Sequence, residues 1–99
     1  MKTFPLTIAS PEGNSFQGEA VTLIVRGIEG DLAVLADHTP FITSLRPGRV
    51  KLEVPAHPED EASQELAVRY ANAKGGLLSV SKEQVTLLSS SFQWEEENA

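Results

Sequence analysis

Residues 26–50 read RGIEGDLAVLADHTPFITSLRPGRV and place three turn signals around one short apolar run. Gly30 lies between Glu29 and Asp31, where a residue free to adopt positive φ lets the chain reverse tightly. Residues 32–35 form a hydrophobic segment of strand length, and Pro47-Gly48 closes the stretch as a turn dipeptide. The stretch therefore predicts a folded corner that presents a loop, one histidine and a small apolar patch, none of which can do chemistry unaided.

Outside this corner, apolar residues recur at every second position, which is the period of a half-buried strand. Two such segments have the apolar positions Val21, Leu23 and Val25, and Leu66, Val68 and Tyr70. Turn-forming residues separate the segments, and residues 55–64 form a polar, acidic loop with two prolines. We therefore expect the chain to be a succession of short strands.

Roughly eight to ten such segments, without a convincing long helix, predict an all-β fold. The fold is a single β-sandwich or flattened barrel of short, mostly antiparallel strands, and periodicity alone does not choose between the two. We expect one domain over residues 1–94, with Phe92 and Trp94 on a last edge strand. Residues 95–99 are expected to form a frayed, solubilising acidic tail.

Composition excludes several classes of protein. The 99 residues fit one domain, and a hydrophobic fraction of 40% is enough for a packed core. The formal charge of −6 argues against nucleic acid as a partner, because proteins that bind nucleic acid carry basic patches. The sequence has no cysteine, no signal peptide and no apolar run near the roughly 20 residues that span a bilayer. We expect a soluble, cytoplasmic domain.

A longer motif runs through the corner. Its residues are Gly27, Gly30, Leu32, Leu35, His38 and Pro40, followed by Leu45, Arg46, Pro47 and Gly48. The spacing resembles the G-x-x-G-x-L-x-x-L-x-x-H-x-P and L-[KR]-P-G blocks in the β-sandwich domain of the F-type ATP synthase epsilon subunit. The resemblance covers nearly the whole chain and is weakest over residues 53–64. It implies the sandwich form of the fold.

The resemblance also implies a function. Members of the epsilon subunit family are non-catalytic subunits of the central stalk, or rotor, and couple the proton-driven c-ring to the gamma subunit during ATP synthesis. The loop Glu29-Gly30-Asp31 has the position that faces the c-ring. Positions expected near gamma are Ser10, His38 and Thr43. No cofactor or metal is implied, and contact with the inner face of the energy-transducing membrane comes through the complex alone.

Two neighbouring residues of the corner have a divided expectation. Phe41 and Ile42 are both apolar and could lie in the core or on a partner surface. Both are candidate partner-binding residues, and because neighbours on a strand point to opposite faces, we expect one of them in the core.

Two departures from the family pattern affect these expectations. The family often has Pro-Gly before the motif histidine, whereas this chain has Ala36-Asp37, which adds a carboxylate to the expected gamma-facing edge. The sequence ends at Ala99, without the pair of helices that usually follows the sandwich. We therefore expect a constitutive coupling subunit, without helix-mediated inhibition and without ATP binding of its own.

Three other patterns have simpler explanations than chemistry. Residues 13–18 have the glycine spacing of a Walker A loop, but Glu19 and Ala20 replace its lysine and hydroxyl residue. Asp37-His38 could belong to a catalytic triad, yet adjacent residues on an extended chain point to opposite faces. His57 and its acidic neighbours are typical of a solvated loop. We predict neither a catalytic nor a metal site.

The alternative function is that of a free-standing β-sandwich that binds a small ligand or glycan. Such a module would present clustered, exposed aromatic rings. The chain has one Trp, one Tyr and four Phe, and three of the Phe occupy positions typical of a core. A small hydrolase, the third possibility, would need a preorganised polar triad that the sequence lacks.

Overall fold

The computed structural model describes residues 1–95 and contains ten strands and no helix within that range. The strands are β1 (Phe4–Ser10), β2 (Gly13–Ala20), β3 (Thr22–Gly27), β4 (Gly30–Leu35), β5 (Phe41–Leu45), β6 (Gly48–Pro55), β7 (Leu66–Ala73), β8 (Gly76–Val80), β9 (Val85–Leu88) and β10 (Phe92–Trp94). All strand pairs are antiparallel except β1 with β9. The predicted all-β fold, the strand number and the edge position of β10 are confirmed.

The strands form two layers. Layer I has the order β4-β3-β6-β7-β10, and layer II has the order β5-β8-β9-β1-β2. A single residue pair between β3 and β5, Gly27 with Leu45, joins the layers along one side. The result is a nearly closed, barrel-like sandwich, which combines the two forms that periodicity left open.

The core lies between the layers and is built from the inward-facing positions of both. Leu23 and Leu52 from layer I and Leu6, Leu78 and Leu87 from layer II are at most 1% exposed. Burial of a large aliphatic side chain contributes about 1.5–3 kcal/mol, so these leucines supply much of the driving force for folding. No buried side-chain nitrogen or oxygen in residues 1–95 lacks a hydrogen-bond partner.

The buried side of β7 differs from the apolar pattern of its sequence. Leu66 and Val68 are each 38% exposed on the outer face, whereas Ala71 and Ala73 are buried. Register with β6 decides the orientation, because Ala71 lies opposite buried Val50. A shift of one residue in register turns every side chain of a strand to the opposite face. The size of the apolar side chains in β7 therefore did not indicate which of them are buried.

Val21 is a second difference. Leu23 and Val25 are buried as predicted, but Val21 precedes β3 and is half-buried. Its N–H donates to the Glu53 carbonyl at 2.8 Å, which ties the crossing from layer II to layer I against β6. The strand period therefore stops at Thr22, where the chain changes layers.

The strand register gives the sandwich two distinct ends. The Gly30 end carries the β1–β2 turn, the β3–β4 turn and the β5–β6 connection. The His38 end carries the β4–β5 loop, the β8–β9 turn and the long β6–β7 loop over residues 56–65. The predicted site residues are distributed between these ends and the faces that connect them.

Candidate interaction surface

The β3–β4 turn forms the tip of the Gly30 end. Gly30 has φ +136°, a conformation that side chains disfavour, which confirms the predicted role of this glycine in the reversal. Glu29 and Asp31 are both exposed beside it. Arg46 braces the turn, since its Nε donates to the Gly27 carbonyl at 3.0 Å. The structure therefore presents two carboxylates on a well-supported tip.

The β4–β5 loop at the opposite end makes its turn with Ala36-Asp37, where the family often has Pro-Gly. Asp37 has φ +66°, the left-handed conformation that glycine usually provides and that Asp tolerates better than most residues. Its carboxylate accepts from Lys2 Nζ at 3.1 Å. The carboxylate expected at this edge is thus paired with a lysine from the start of the chain.

His38 is exposed and belongs to this same loop. Its Nδ1 lies 2.9 Å from the Thr39 carbonyl oxygen, which fixes Nδ1 as the protonated nitrogen when the ring is neutral. The ring also packs against Phe41 with centroids 5.0 Å apart. Because Asp37 bonds Lys2 and His38 bonds Thr39, the two do not orient each other as a catalytic pair would.

An open cleft of about 470 Å³ lies beside His38, between the β4–β5 loop, the β8–β9 turn and the start of β1. Its lining includes apolar Leu35, Pro40 and Pro5, and also Lys82. Leu35 is 50% exposed, so the cleft is open to solvent on this side.

Strand β5 divides its side chains as strand geometry requires. Phe41 packs against the core, while Ile42 is 69% exposed on the outer face of layer II. Thr43 is half-buried and has the inward orientation of Phe41 and Leu45. Thr43 and Ile42 therefore face opposite sides of the same strand.

Ser10 closes β1 at the Gly30 end and is half-buried. Its hydroxyl reaches the Gly13 carbonyl at 3.5 Å across the β1–β2 turn. Ser10 and Glu29 therefore share one end of the molecule, on different layers, whereas His38 lies at the other end.

The outer face of layer II connects these positions and carries no charge over its centre. Two cross-strand rows follow from the pairing of β5, β8, β9, β1 and β2. The first row is Ser44, Leu77, Leu88, Ala9 and Asn14; the second is Ile42, Ser79, Thr86, Thr7 and Gln17. In a chain with 22% charged residues, ten neighbouring neutral positions form a distinct surface, which we call the uncharged face.

The outer face of layer I is different in kind. Strands β4, β3 and β6 carry charged residues in outward positions: Arg26, Asp31, Arg49, Lys51 and Glu53. Interface centres are depleted in charge and solvent-facing surfaces are not, so this charged face is typical of a surface left in water. The two outer faces of the sandwich therefore differ: that of layer I is charged, and that of layer II is uncharged over its centre.

Leu77 and Leu88 were not among the predicted site residues. They are 40% and 47% exposed, lie opposite each other in the pairing of β8 with β9, and occupy the middle of the uncharged face. A sequence signal for them exists. Leucine pairs at 77–78 and 87–88 within short strands force one member of each pair outward, because neighbours alternate between faces.

The structure thus defines a two-layer β-sandwich with one uncharged face and an acidic tip. No group of three or more His, Cys, Asp or Glu among residues 1–95 is placed to hold a metal ion. The same part of the chain contains no helix of the length and apolarity needed to cross a membrane.

Comparison with known proteins identifies the family. Residues 3–95 match the family model described as ATP synthase, Delta/Epsilon chain, beta-sandwich domain. The ATP synthase epsilon chain of Janthinobacterium sp. (strain Marseille) is 36% identical over 86 residues, and that of Herminiimonas arsenicoxydans is 35% identical over the same length. Each alignment covers 87% of this chain and 56% of the relative. The chain belongs to the epsilon subunit family of F-type ATP synthases and spans little more than half the length of these relatives.

Solved structures agree with the fold. A chain of the Euglena gracilis mitochondrial ATP synthase OSCP/F1/c-ring assembly superposes with TM-score 0.77 at 20% identity, over 93% of this chain and 53% of that one. A chain of the Tetrahymena thermophila mitochondrial ATP synthase central stalk/c-ring superposes with TM-score 0.71 at 13% identity, over 92% and 66%. At these identities the likeness shows a shared sandwich fold.

Proposed function

We propose that this chain is a non-catalytic subunit of the central stalk of a proton-translocating F-type ATP synthase, coupling the c-ring to the gamma subunit. It acts at the cytoplasmic side, on the inner face of the energy-transducing membrane, and reaches the membrane through the complex alone. Family membership supports the assembly, and the uncharged face is the observation that carries the proposal. A part that transmits torque needs a stiff body with complementary surfaces, which a two-layer sandwich supplies.

The uncharged face is the surface we assign to gamma. Its exposed leucines and isoleucine would lose contact with water in a complex, while the surrounding serines and threonines can bond without burying charge. Ile42 is part of this face, and Ser10 follows Ala9 of the same face along β1. His38 lines the cleft at the His38 end of the sandwich. A partner of ordinary interface size, burying about 1,200–2,000 Å² in total, could cover the face and reach these residues.

The acidic tip at the Gly30 end is the surface we assign to the c-ring. A partner on the uncharged face leaves this end free, so one rigid body can engage two partners at once. Glu29 and Asp31 are both exposed beside the turn. Their charges would steer the tip towards a basic surface and orient it there.

Reversing both carboxylates of the tip should reduce coupling. The double variant Glu29→Lys, Asp31→Lys is expected to lower ATP-driven proton pumping in reconstituted complexes, with ATP hydrolysis by the detached catalytic head unchanged. Exposed pairs contribute about 0.2–1 kcal/mol each and are screened by salt, so the loss should be partial and greatest at low ionic strength. Glu59→Lys, Glu61→Lys is the matched control, because it reverses two acids of equal spacing at the opposite end.

Equal pumping by the tip variant and the wild type at low salt would remove this turn from the c-ring contact. Equal losses in the tip and control variants would show a general charge effect.

Binding to isolated gamma subunit tests the proposal as a whole. The purified chain should form a complex that survives gel filtration, and calorimetry should show the negative heat-capacity change of buried apolar surface. A chain that is folded by circular dichroism yet does not bind gamma would contradict the assigned function.

The ligand-binding alternative gains no support from the aromatic residues. All six aromatic side chains lie within residues 1–95, and each is buried or half-buried. Tyr70 and Trp94 each carry an arginine guanidinium over the ring, at 3.8 Å from Arg49 and 3.7 Å from Arg69. An aromatic platform for a sugar would need a ring face open to solvent.

A further inference from the structure

The two layers share backbone pairing on one side of the sandwich, where β3 meets β5. On the other side the edge strands are β10 and β2, which pair with β7 and β1. We call this the open side. A side-chain contact spans it, because the Trp94 indole Nε1 of β10 donates to the Ser15 carbonyl of β2 at 3.2 Å.

Strand β10 is three residues long, and its aromatic side chains hold it in place. Phe92 is 5% exposed and belongs to the core, and the Trp94 ring packs edge-on against it with centroids 5.1 Å apart. The Arg69 guanidinium lies over the indole ring, 3.7 Å from its centroid. Trp94 therefore packs against the core and also separates it from solvent on the open side.

Glu95, expected in the frayed tail, is instead anchored; residues 96–99 of that expected tail lie outside the described residues. Its carboxylate accepts from Arg49 Nε at 2.8 Å and Arg49 Nη2 at 2.9 Å, and from Asn72 Nδ2 at 3.2 Å. Its N–H donates to the Tyr70 carbonyl at 2.9 Å. Arg49 also lies over the Tyr70 ring, so one arginine is fixed on two sides. We call this group the Glu95 clasp.

We infer that β10 and Glu95 form a strap that closes the open side of the sandwich and opens as a local unit before the rest of the domain unfolds. The strap is the shortest strand and lies at an edge. Its clasp is partly in water, with side-chain exposures of 54% for Arg49 and 32% for Glu95. Edge segments held by solvent-accessible contacts open at lower free energy than strands paired on both sides.

The Glu95 clasp makes strap opening depend on pH, with opening favoured in acid. Hydrogen bonds from Arg49, its positive charge and the Asn72 amide hold the pKa of the Glu95 carboxyl below its ordinary value. A carboxyl with a lowered folded pKa stabilises the closed form above its unfolded pKa and loses that contribution as pH falls through the folded pKa. The groups that act on the Glu95 carboxylate are Arg49 from β6 and the Asn72 amide from β7. The Arg49 guanidinium lies over the Tyr70 ring and stays charged in this range.

Trp94 is the sole tryptophan of the chain, so its fluorescence reports on the strap alone. As pH is lowered from 7 to about 3, well below the ordinary pKa of a glutamate carboxyl, the emission should shift to longer wavelength while the far-ultraviolet circular dichroism keeps its folded value. In Glu95→Gln, the emission should be partly shifted already at pH 7 and change little with acid. In Arg49→Ala, hydrogen exchange of the Glu95 amide should be about tenfold faster at neutral pH.

Asp37→Asn is the matched control. It removes another exposed ion pair, Asp37 with Lys2 at 3.1 Å, at the His38 end and keeps a residue that tolerates positive φ. Its emission and its Glu95 amide exchange should equal those of the wild type.

Two results would contradict the proposal that the strap opens as a local unit. One is a Trp94 emission change that coincides with loss of circular dichroism in acid and in urea, since β10 would then unfold with the whole domain. The other is an unaltered acid response in Glu95→Gln, since the clasp would then not hold the strap. Neither result depends on gamma or on the c-ring.

Discussion

Replacing Leu77 with glutamate is expected to weaken binding to gamma by about 2–4 kcal/mol, roughly 30- to 1,000-fold in Kd. Leu77 lies in the middle of the uncharged face, opposite Leu88 on one side and Ser44 on the other. A carboxylate there would have to be desolvated on binding, with no cation in the two rows to pair with it. The free domain should fold normally, because Leu77 points outward and is 40% exposed.

Val68→Glu is the control for this variant. Val68 is also an aliphatic residue in an outward strand position, is 38% exposed, and lies opposite Glu53 on the charged face. Titration calorimetry of gamma with both variants, at equal thermal stability, measures the difference between the two faces. If Val68→Glu costs as much affinity as Leu77→Glu, the uncharged face is not the gamma interface.

Gly76→Ala is expected to cost about 3–5 kcal/mol of folding free energy, a large part of the roughly 5–15 kcal/mol of a typical domain. Gly76 has φ +143°, and this backbone strain alone costs about 1–3 kcal/mol for a residue with a side chain. A methyl group would also overlap the carbonyl oxygen of Leu88 in the adjacent strand. To relieve that contact, β8 would have to move from β9, disturbing the buried Ser89 hydroxyl that donates to the Gly75 carbonyl at 2.7 Å.

Gly13→Ala separates the two causes of this loss. Gly13 has φ +120°, but an added methyl there meets no atom within 4 Å, so the strain is present without the overlap. Its cost should be about 1–3 kcal/mol, and urea denaturation of both variants gives the comparison. Equal losses would mean that the close approach of β8 and β9 contributes nothing beyond the backbone conformation.

Much of the fold was predictable because short strands carry their own pattern. Alternation placed Leu6, Leu23 and Leu52 inside, and each is at most 1% exposed. The turn at Gly30 was predictable for a similar reason, since few residues other than glycine adopt φ +136° at low cost. Alternation also predicted that Phe41 and Ile42 point to opposite faces, and Phe41 packs against the core while Ile42 is exposed. A partner contact by either residue stays a prediction.

The candidate surface was less predictable than the fold. The motif placed Ser10, His38 and the tip residues on the chain, but strand register decided that His38 lies at the end opposite the tip. The uncharged face combines residues from five strands that are far apart in sequence. A pattern within one segment carries no information about which segments become neighbours.

By itself, then, the sequence determined the strands, the glycine-dependent turns and the family, because these depend on local periodicity, backbone conformation and motif spacing. The tertiary structure alone decided that Ala71 is buried in place of Val68, that Glu95 is clasped by Arg49, and that Leu77 and Leu88 meet on an uncharged face. The physical reason is pairing register: it fixes which side of each strand faces the core and which distant side chains come into contact.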